Sequence, residues 1–303
     1  MPLGSMVRQV RGRLGVGVGA AALLVSCSSL PEGPNDNAWR LLPGHVETLQ
    51  VPAFRNGRQC WVYLPPGYAT STRRYPVLYM NDGQTAFEGN SGIHVNRICE
   101  DLIRSGEIEP IIVVAVSPLN FDQRFVDYTP WPGPYHRPSG FGDFYLQALR
   151  DTLKPEIDRR YRTLPDQANT AIEGGSLSGL IAAYAGFEYD STFGKVAAFS
   201  PSYWWWGDGG KTIYDVVPAT RWQSRIVKFY QDTGYADDND IDYMTARLSQ
   251  SGFIEGLDFM SNTERGGTHT QDAWEHRFPD MLRFLFPAKE APVWPDPIIR
   301  FPP

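Results

Sequence analysis

The feature that most limits the fold is a change of period on either side of residues 174–179. Upstream, Thr170-Ala171-Ile172 is a short apolar run suited to a strand; downstream, Leu180, Ile181, Ala183, Tyr184 and Phe187 recur at helical spacing. Between them stands Gly174-Gly175-Ser176-Leu177-Ser178-Gly179. A strand that turns straight into a helix through glycines and serines predicts a sharp elbow, with Ser176 at its apex and its hydroxyl lifted clear of the sheet edge. Small residues are needed where the backbone crosses itself, and Gly174 and Gly179 meet that need. In the G-x-S-x-G pattern the fifth position is glycine; here Ser178 takes it and glycine follows one residue later. A plain Gly/Ser turn is the competing reading, and the flanking strand and helix weigh against it.

The same alternation runs along the chain. Strands are expected over residues 45–52, 59–64, 75–80, 110–116, 170–173, 196–199, 226–231 and 257–261, and helices over 95–104, 142–161, 177–187, 238–251 and 270–286. Apolar strands separated by helices imply an α/β fold, a mostly parallel central sheet with helices on both faces, its first strands antiparallel at the edge. With 303 residues, 42% hydrophobic and rich in aromatics, the chain can build one large core, assigned here to residues 43–286. Residues 287–303 hold many prolines and read as a surface-lying or disordered tail.

At the amino terminus, Arg8, Arg11 and Arg13 precede an apolar run from Leu14 to Val25, the pattern of an export signal over residues 1–27. Leu24-Val25-Ser26-Cys27 resembles the lipobox of bacterial lipoproteins, which implies acylation at Cys27 and an exported, cell-envelope or periplasm-facing protein; an ordinary secretory signal is the alternative. Met1 to Ser5 read as a cloning remnant ahead of Met6. Residues 28–42, rich in Ser, Pro, Gly and Asn, form a tether between that end and the domain. The net charge of −6 and the absence of a Lys/Arg cluster beyond residue 13 argue against a nucleic-acid partner. Cys60 and Cys99 remain, open to a disulfide or to two buried thiols, without the spacing of a redox or zinc site.

A serine hydroxyl is a poor nucleophile unless a base takes its proton and an acid orients that base. Two histidines follow the elbow. His269 lies in Gly266-Gly267-Thr268-His269-Thr270, at the mouth of the last helix, and is the favoured base; His276 falls within that helix. For the acid, Phe229-Tyr230-Gln231-Asp232-Thr233-Gly234 runs as a strand into a turn bearing Asp237 and Asp238, on the strand-end rim where α/β sheets place their sites. Either carboxylate suits, the other serving as a helix cap; Asp232, still within the strand, is a weaker third candidate.

These residues lie among motifs that together resemble the putative esterase family of α/β-hydrolases, which includes esterase D, enterochelin esterases and feruloyl or acetyl xylan esterases. The motifs are Tyr63-Leu64-Pro65-Pro66-Gly67-Tyr68, Tyr75 to Gln84, Asp127-Tyr128-Thr129-Pro130, Tyr161-Arg162-Thr163, the elbow, Ser200-Pro201-Ser202-Tyr203-Trp204-Trp205 and the Gly-Gly-Thr-His loop. The resemblance covers about residues 43–286. It implies a cofactor-independent serine carboxylic-ester hydrolase with Ser176, Asp237 and His269 as the triad, acting on small, carbohydrate or siderophore-type esters. The backbone N–H groups of Leu177 and Gln84 are the implied oxyanion donors. An acyltransferase of the mycolyltransferase kind, and a lipid-anchored binding protein with a disused elbow, are the alternatives. Trp204 and Trp205, with Trp131, are candidates either for a substrate pocket or for ordinary packing.

Two further patterns carry no function. Gly15-x-Gly17-x-Gly19 lies in the export signal without a preceding strand. Asp238-x-Asp240-x-Asp242 has calcium-loop spacing, but Tyr243 stands where the loop needs glycine and Ser249 where it needs glutamate. No metal site is expected.

Overall fold

Along eight strands the apolar residues alternate between two cores, and this is what places helices on both sides of the sheet. In the computed structural model, residues 43–51, 57–87, 92–133, 138–234 and 241–289 are described. The export segment with Cys27, the tether, Asp237, Asp238 and most of the proline-rich tail lie outside them. The strands are β1 (His45–Gln50), β2 (Gln59–Leu64), β3 (Val77–Asn81), β4 (Ile112–Val116), β5 (Thr170–Gly175), β6 (Lys195–Phe199), β7 (Lys228–Gly234) and β8 (Phe259–Glu264). They form one sheet in the order β1-β2-β4-β3-β5-β6-β7-β8. β2 runs antiparallel to both β1 and β4, and every later pairing is parallel. The antiparallel edge and the parallel centre are as the sequence implies.

The helices are α1 (Val95–Ser105), α2 (Phe121–Tyr128), α3 (Gly142–Ala148), α4 (Lys154–Arg160), α5 (Leu177–Glu188), α6 (Ile241–Gln250) and α7 (Gln271–Leu285). Val62, Tyr79, Val114, Ile172 and Phe229 point to the core shared with α3 to α6. Their neighbours Tyr63, Leu78, Val113, Ala171 and Tyr230 point to the opposite core, under α1 and α7. Strands buried on both faces read as continuous apolar runs, and each fully buried aliphatic side chain contributes about 1.5–3 kcal/mol.

Two departures from the expected elements have local causes. The helix expected over residues 142–161 is interrupted by a wider turn at Leu149–Leu153, because Pro155 has no N–H with which to continue the ladder. The short helix α2 was not expected. It is held by Asn120, whose side chain accepts from the Gln123 N–H at 2.8 Å, and it turns Phe125 and Tyr128 inward. Cys60 and Cys99 are both free. The sheet separates them, Cys60 lying in the core under α3 to α6 and Cys99 in the other, and burial pushes the Cys60 thiol up to about 12.

Candidate active site

The parallel strands end on one rim, and three of those ends carry a strained residue. Asp82 after β3, Ser176 after β5 and Ser200 after β6 all have positive φ, at 55°, 62° and 40°. For residues with a Cβ such angles persist only where the surroundings impose them, and they gather at functional sites. Ser176 has φ 62° and ψ −121°. Its N–H donates to the Phe199 carbonyl at 2.9 Å, and its own carbonyl accepts from Ser202 and Leu180. The predicted crossing of the backbone is present: a Cβ on Gly174 would lie 2.2 Å from the Ser178 carbonyl oxygen, and one on Gly179 3.1 Å from the Gly174 oxygen. Leu177 opens α5 directly after Ser176.

Ser178, the departure from the glycine pattern, ties this elbow to the neighbouring strand end. Its hydroxyl accepts from the Gly175 N–H at 2.9 Å and lies 2.7 Å from Asp82 Oδ2. Asp82 in turn is gripped by Arg124 of α2 through Nε and Nη2 at 2.8–3.0 Å, and the same Nη2 donates to the Gly175 carbonyl at 3.1 Å. Two strand ends and one helix are thus joined through a forked ion pair, the geometry in which arginine binds carboxylate most strongly. Behind them Asn81 donates to the Glu173 carbonyl at 2.8 Å and accepts from the Tyr145 hydroxyl.

A cavity of about 350 Å³ opens at this rim, and its lining brings together Ser176, His269 and Gln84 with Trp274, Ile93 and Glu173. A larger hollow of about 470 Å³ beside Trp61, Asn96 and Glu100 is lined by no serine or cysteine. His269 stands edge-on to Trp274, with ring centroids 5.4 Å apart. Trp274 is anchored by donating to Ser200 Oγ at 3.2 Å, a hydroxyl that also accepts from Arg277 at 3.1 Å. His276 is directed elsewhere: its side chain is 78% exposed and pairs with Glu264.

Asp237 lies outside the described residues, but the strand leading to it packs tightly against the histidine loop. A Cβ on Gly234 would meet the Gly267 carbonyl oxygen at 2.4 Å. Asp232 is committed to a structural cluster: fully buried, it ion-pairs with Arg277 at 3.1 Å and accepts from the Tyr230 hydroxyl at 3.0 Å. Burial pushes its carboxyl up to about 7 against the pull of Arg277. None of Trp131, Trp204 and Trp205 lines the cavity. Trp205 is fully buried and donates to the Trp131 carbonyl at 3.2 Å, Trp131 is nearly buried, and Trp204 is half exposed. Among the described residues no three His, Cys, Asp or Glu side chains gather as metal ligands would.

Three residues of the site had not been singled out from the sequence. Arg124 sits on the unforeseen α2, and Asn120 with Gln123 was the local signal for that helix. In the sequence Asp82 is part of a motif and Glu173 part of a strand, and nothing beside either marks its place in the site.

An elbow serine and a histidine meeting in one cavity at the ends of parallel strands define an α/β-hydrolase. The chain belongs to the putative esterase family, whose sequence model matches residues 52–285, and is an esterase. It is 28% identical over 244 residues to YbbA of Bacillus subtilis, an uncharacterized protein, covering 76% of this chain and 92% of that one. An endo-1,4-beta-xylanase/feruloyl esterase of Xylanibacter ruminicola is 28% identical over 243 residues, covering 74% of this chain and 29% of the relative. An iron(III) enterobactin esterase of Dickeya dadantii is 24% identical over 192 residues, covering 60% and 41%. The chain therefore spans less than half the length of these last two. Among solved structures, an IroE-like serine hydrolase of Shewanella oneidensis shares the fold with a TM-score of 0.64 at 22% identity, covering 80% of each chain.

Proposed function

We propose that the chain is a serine carboxylic-ester hydrolase working through an acyl-enzyme. The observation that carries this reading is the convergence of Ser176, at its strained elbow, and His269 on one cavity. Ser176 Oγ attacks the ester carbonyl, His269 takes its proton and returns it to the leaving alcohol, and Asp237 orients the imidazole. The N–H groups of Leu177 and Gln84 receive the oxyanion; each such donor, when placed in advance, is worth about 3–4 kcal/mol. Water then releases the acyl group. The substrates are small, carbohydrate or siderophore-type esters, a range supported by the names of the feruloyl and enterobactin esterases above. Export and acylation at Cys27 place the enzyme at the cell envelope in this reading.

Turnover of acetyl, feruloyl and catecholate esters tests it. Wild-type protein is expected to hydrolyse at least one, and Ser176→Ala none while keeping its circular dichroism and thermal midpoint. Turnover by that variant overturns the assignment. Transfer of the acyl group to an added alcohol or sugar in preference to water assigns the protein to acyltransferases instead.

A further inference from the structure

Beneath Ser176 the cavity reaches a buried acid that the proposed reaction does not use. Glu173 stands on β5 three residues before Ser176, between Met80 of β3 and Ala197 of β6 in register. Alternation along the strand sends its side chain to the face covered by α1 and α7, where Ala171, Met80, Ala197 and Trp274 pack together. Glu173 is 2% exposed, yet it lines the same cavity as Ser176 and His269. Its Oε2 has no hydrogen-bond partner among the described residues. A buried polar atom without a partner is uncommon in a folded protein and calls for a physical explanation.

The surroundings narrow what that partner is. The carboxylates nearest to it in charge are Asp82 and Asp232, and each already has its own arginine, Arg124 and Arg277. Burial, and after it these two carboxylates, holds the Glu173 carboxyl well above the usual range, which favours its neutral form. Such a group offers one O–H donor together with acceptor oxygens. An anion entering here would find the Arg124 guanidinium of the lining already paired with Asp82, and an ammonium would be stripped of water against Met80, Ile93 and Trp274, which share the lining. A hydroxyl matches both requirements, being uncharged and able to accept and donate.

We infer that Glu173 is a specificity-determining residue, its carboxylic acid hydrogen-bonding a hydroxyl group of the substrate that enters beneath Ser176. This rests on the esterase reading. The chain thereby selects hydroxylated esters over their plain counterparts, because a plain ester leaves a buried polar group unpaired.

Three esters on one skeleton test this: ethyl butyrate, ethyl 3-hydroxybutyrate and 2-hydroxyethyl butyrate, which place the hydroxyl nowhere, on the acyl half or on the alcohol half. Their kcat/KM values are measured by titrating the released acid for the full chain and for Glu173→Gln and Glu173→Met. The ratio between two substrates does not depend on how much of a variant is folded, so a loss of stability alone leaves it unmoved. Wild type is expected to prefer one hydroxylated ester by about tenfold or more. Glu173→Gln, which keeps a donor and an acceptor, should hold most of that preference, and Glu173→Met should bring it close to one. A wild type without preference, or a preference that survives in Glu173→Met, overturns the role of Glu173 and leaves the esterase reading standing. Failure to hydrolyse any of the three while an acetyl, feruloyl or catecholate ester is turned over overturns the role of Glu173 alone, and failure on all six overturns both.

Discussion

Removing a single hydroxyl, in Ser178→Ala, should loosen the elbow measurably. That hydroxyl is fully buried and lies 2.7 Å from Asp82 Oδ2 while accepting from the Gly175 N–H at 2.9 Å. A hydrogen bond to a charged group contributes about 1.5–3 kcal/mol and a neutral one about 0.5–1.5 kcal/mol. Asp82 keeps its Arg124 fork, so the lower part of that range applies, about 2 kcal/mol. For a domain of this size that is a fall of about 4–8 °C in Tm. The Gly175 N–H lies one residue from Ser176, the proposed nucleophile, and a misplacement of about 1 Å there slows catalysis, so kcat should drop about tenfold or more. Urea unfolding, a thermal scan and ester turnover on the same preparation read all three effects. If Ser178→Ala unfolds within about 0.5 kcal/mol of wild type, the range of an ordinary surface substitution, the hydroxyl is not the link between the two strand ends.

Ser176→Gly should be inactive and yet more stable than wild type by about 1 kcal/mol, since glycine adopts φ 62° without strain; equal or lower stability on urea unfolding would show the elbow to be relaxed. Trp205→Ala should cost about 3–5 kcal/mol through the cavity it leaves, whereas Trp204→Ala, at a half-exposed position, should unfold like wild type; the reverse order of midpoints would contradict the burial of Trp205. Glu173→Gln should gain on wild type as pH rises. The folded Glu173 carboxyl stays protonated because burial raises it, while in the unfolded chain it ionises above about pH 4.3, so wild type alone loses stability. The difference should grow by at most about 1.4 kcal/mol per pH unit from about pH 5 until the folded group ionises, and a pH-independent difference would mean that Glu173 is ionised in the native state.

Much of the fold was legible because buried parallel strands leave continuous apolar runs and the helices between them keep their period. The antiparallel pairing of β1 with β2 at the edge matches the arrangement expected for the first strands. What escaped was short or depended on partners distant in sequence. Helix α2 has eight residues and too little periodicity to stand out, although Asn120 marks its start. The role of Ser178 was invisible: a serine in place of glycine looks like tolerance until Asp82, 96 residues earlier, is found against it. Glu173 was hidden for the same reason, since a lone acid in a strand gives no sign of which cavity it faces. The tryptophans show the converse, because Trp204 and Trp205 are adjacent and identical in type, and only packing separates the exposed ring from the core one.

In the proposed reaction Ser176 is a nucleophile activated by His269, and covalent labelling reports on that pair. A fluorophosphonate incubated with the full chain, followed by peptide mass spectrometry, should place one adduct on the peptide bearing Ser176. Labelling should vanish in Ser176→Ala and slow at least a hundredfold in His269→Ala, consistent with the large losses that follow removal of a triad member. An adduct on another residue, or equal labelling rates with and without His269, would rule out these roles for Ser176 and His269.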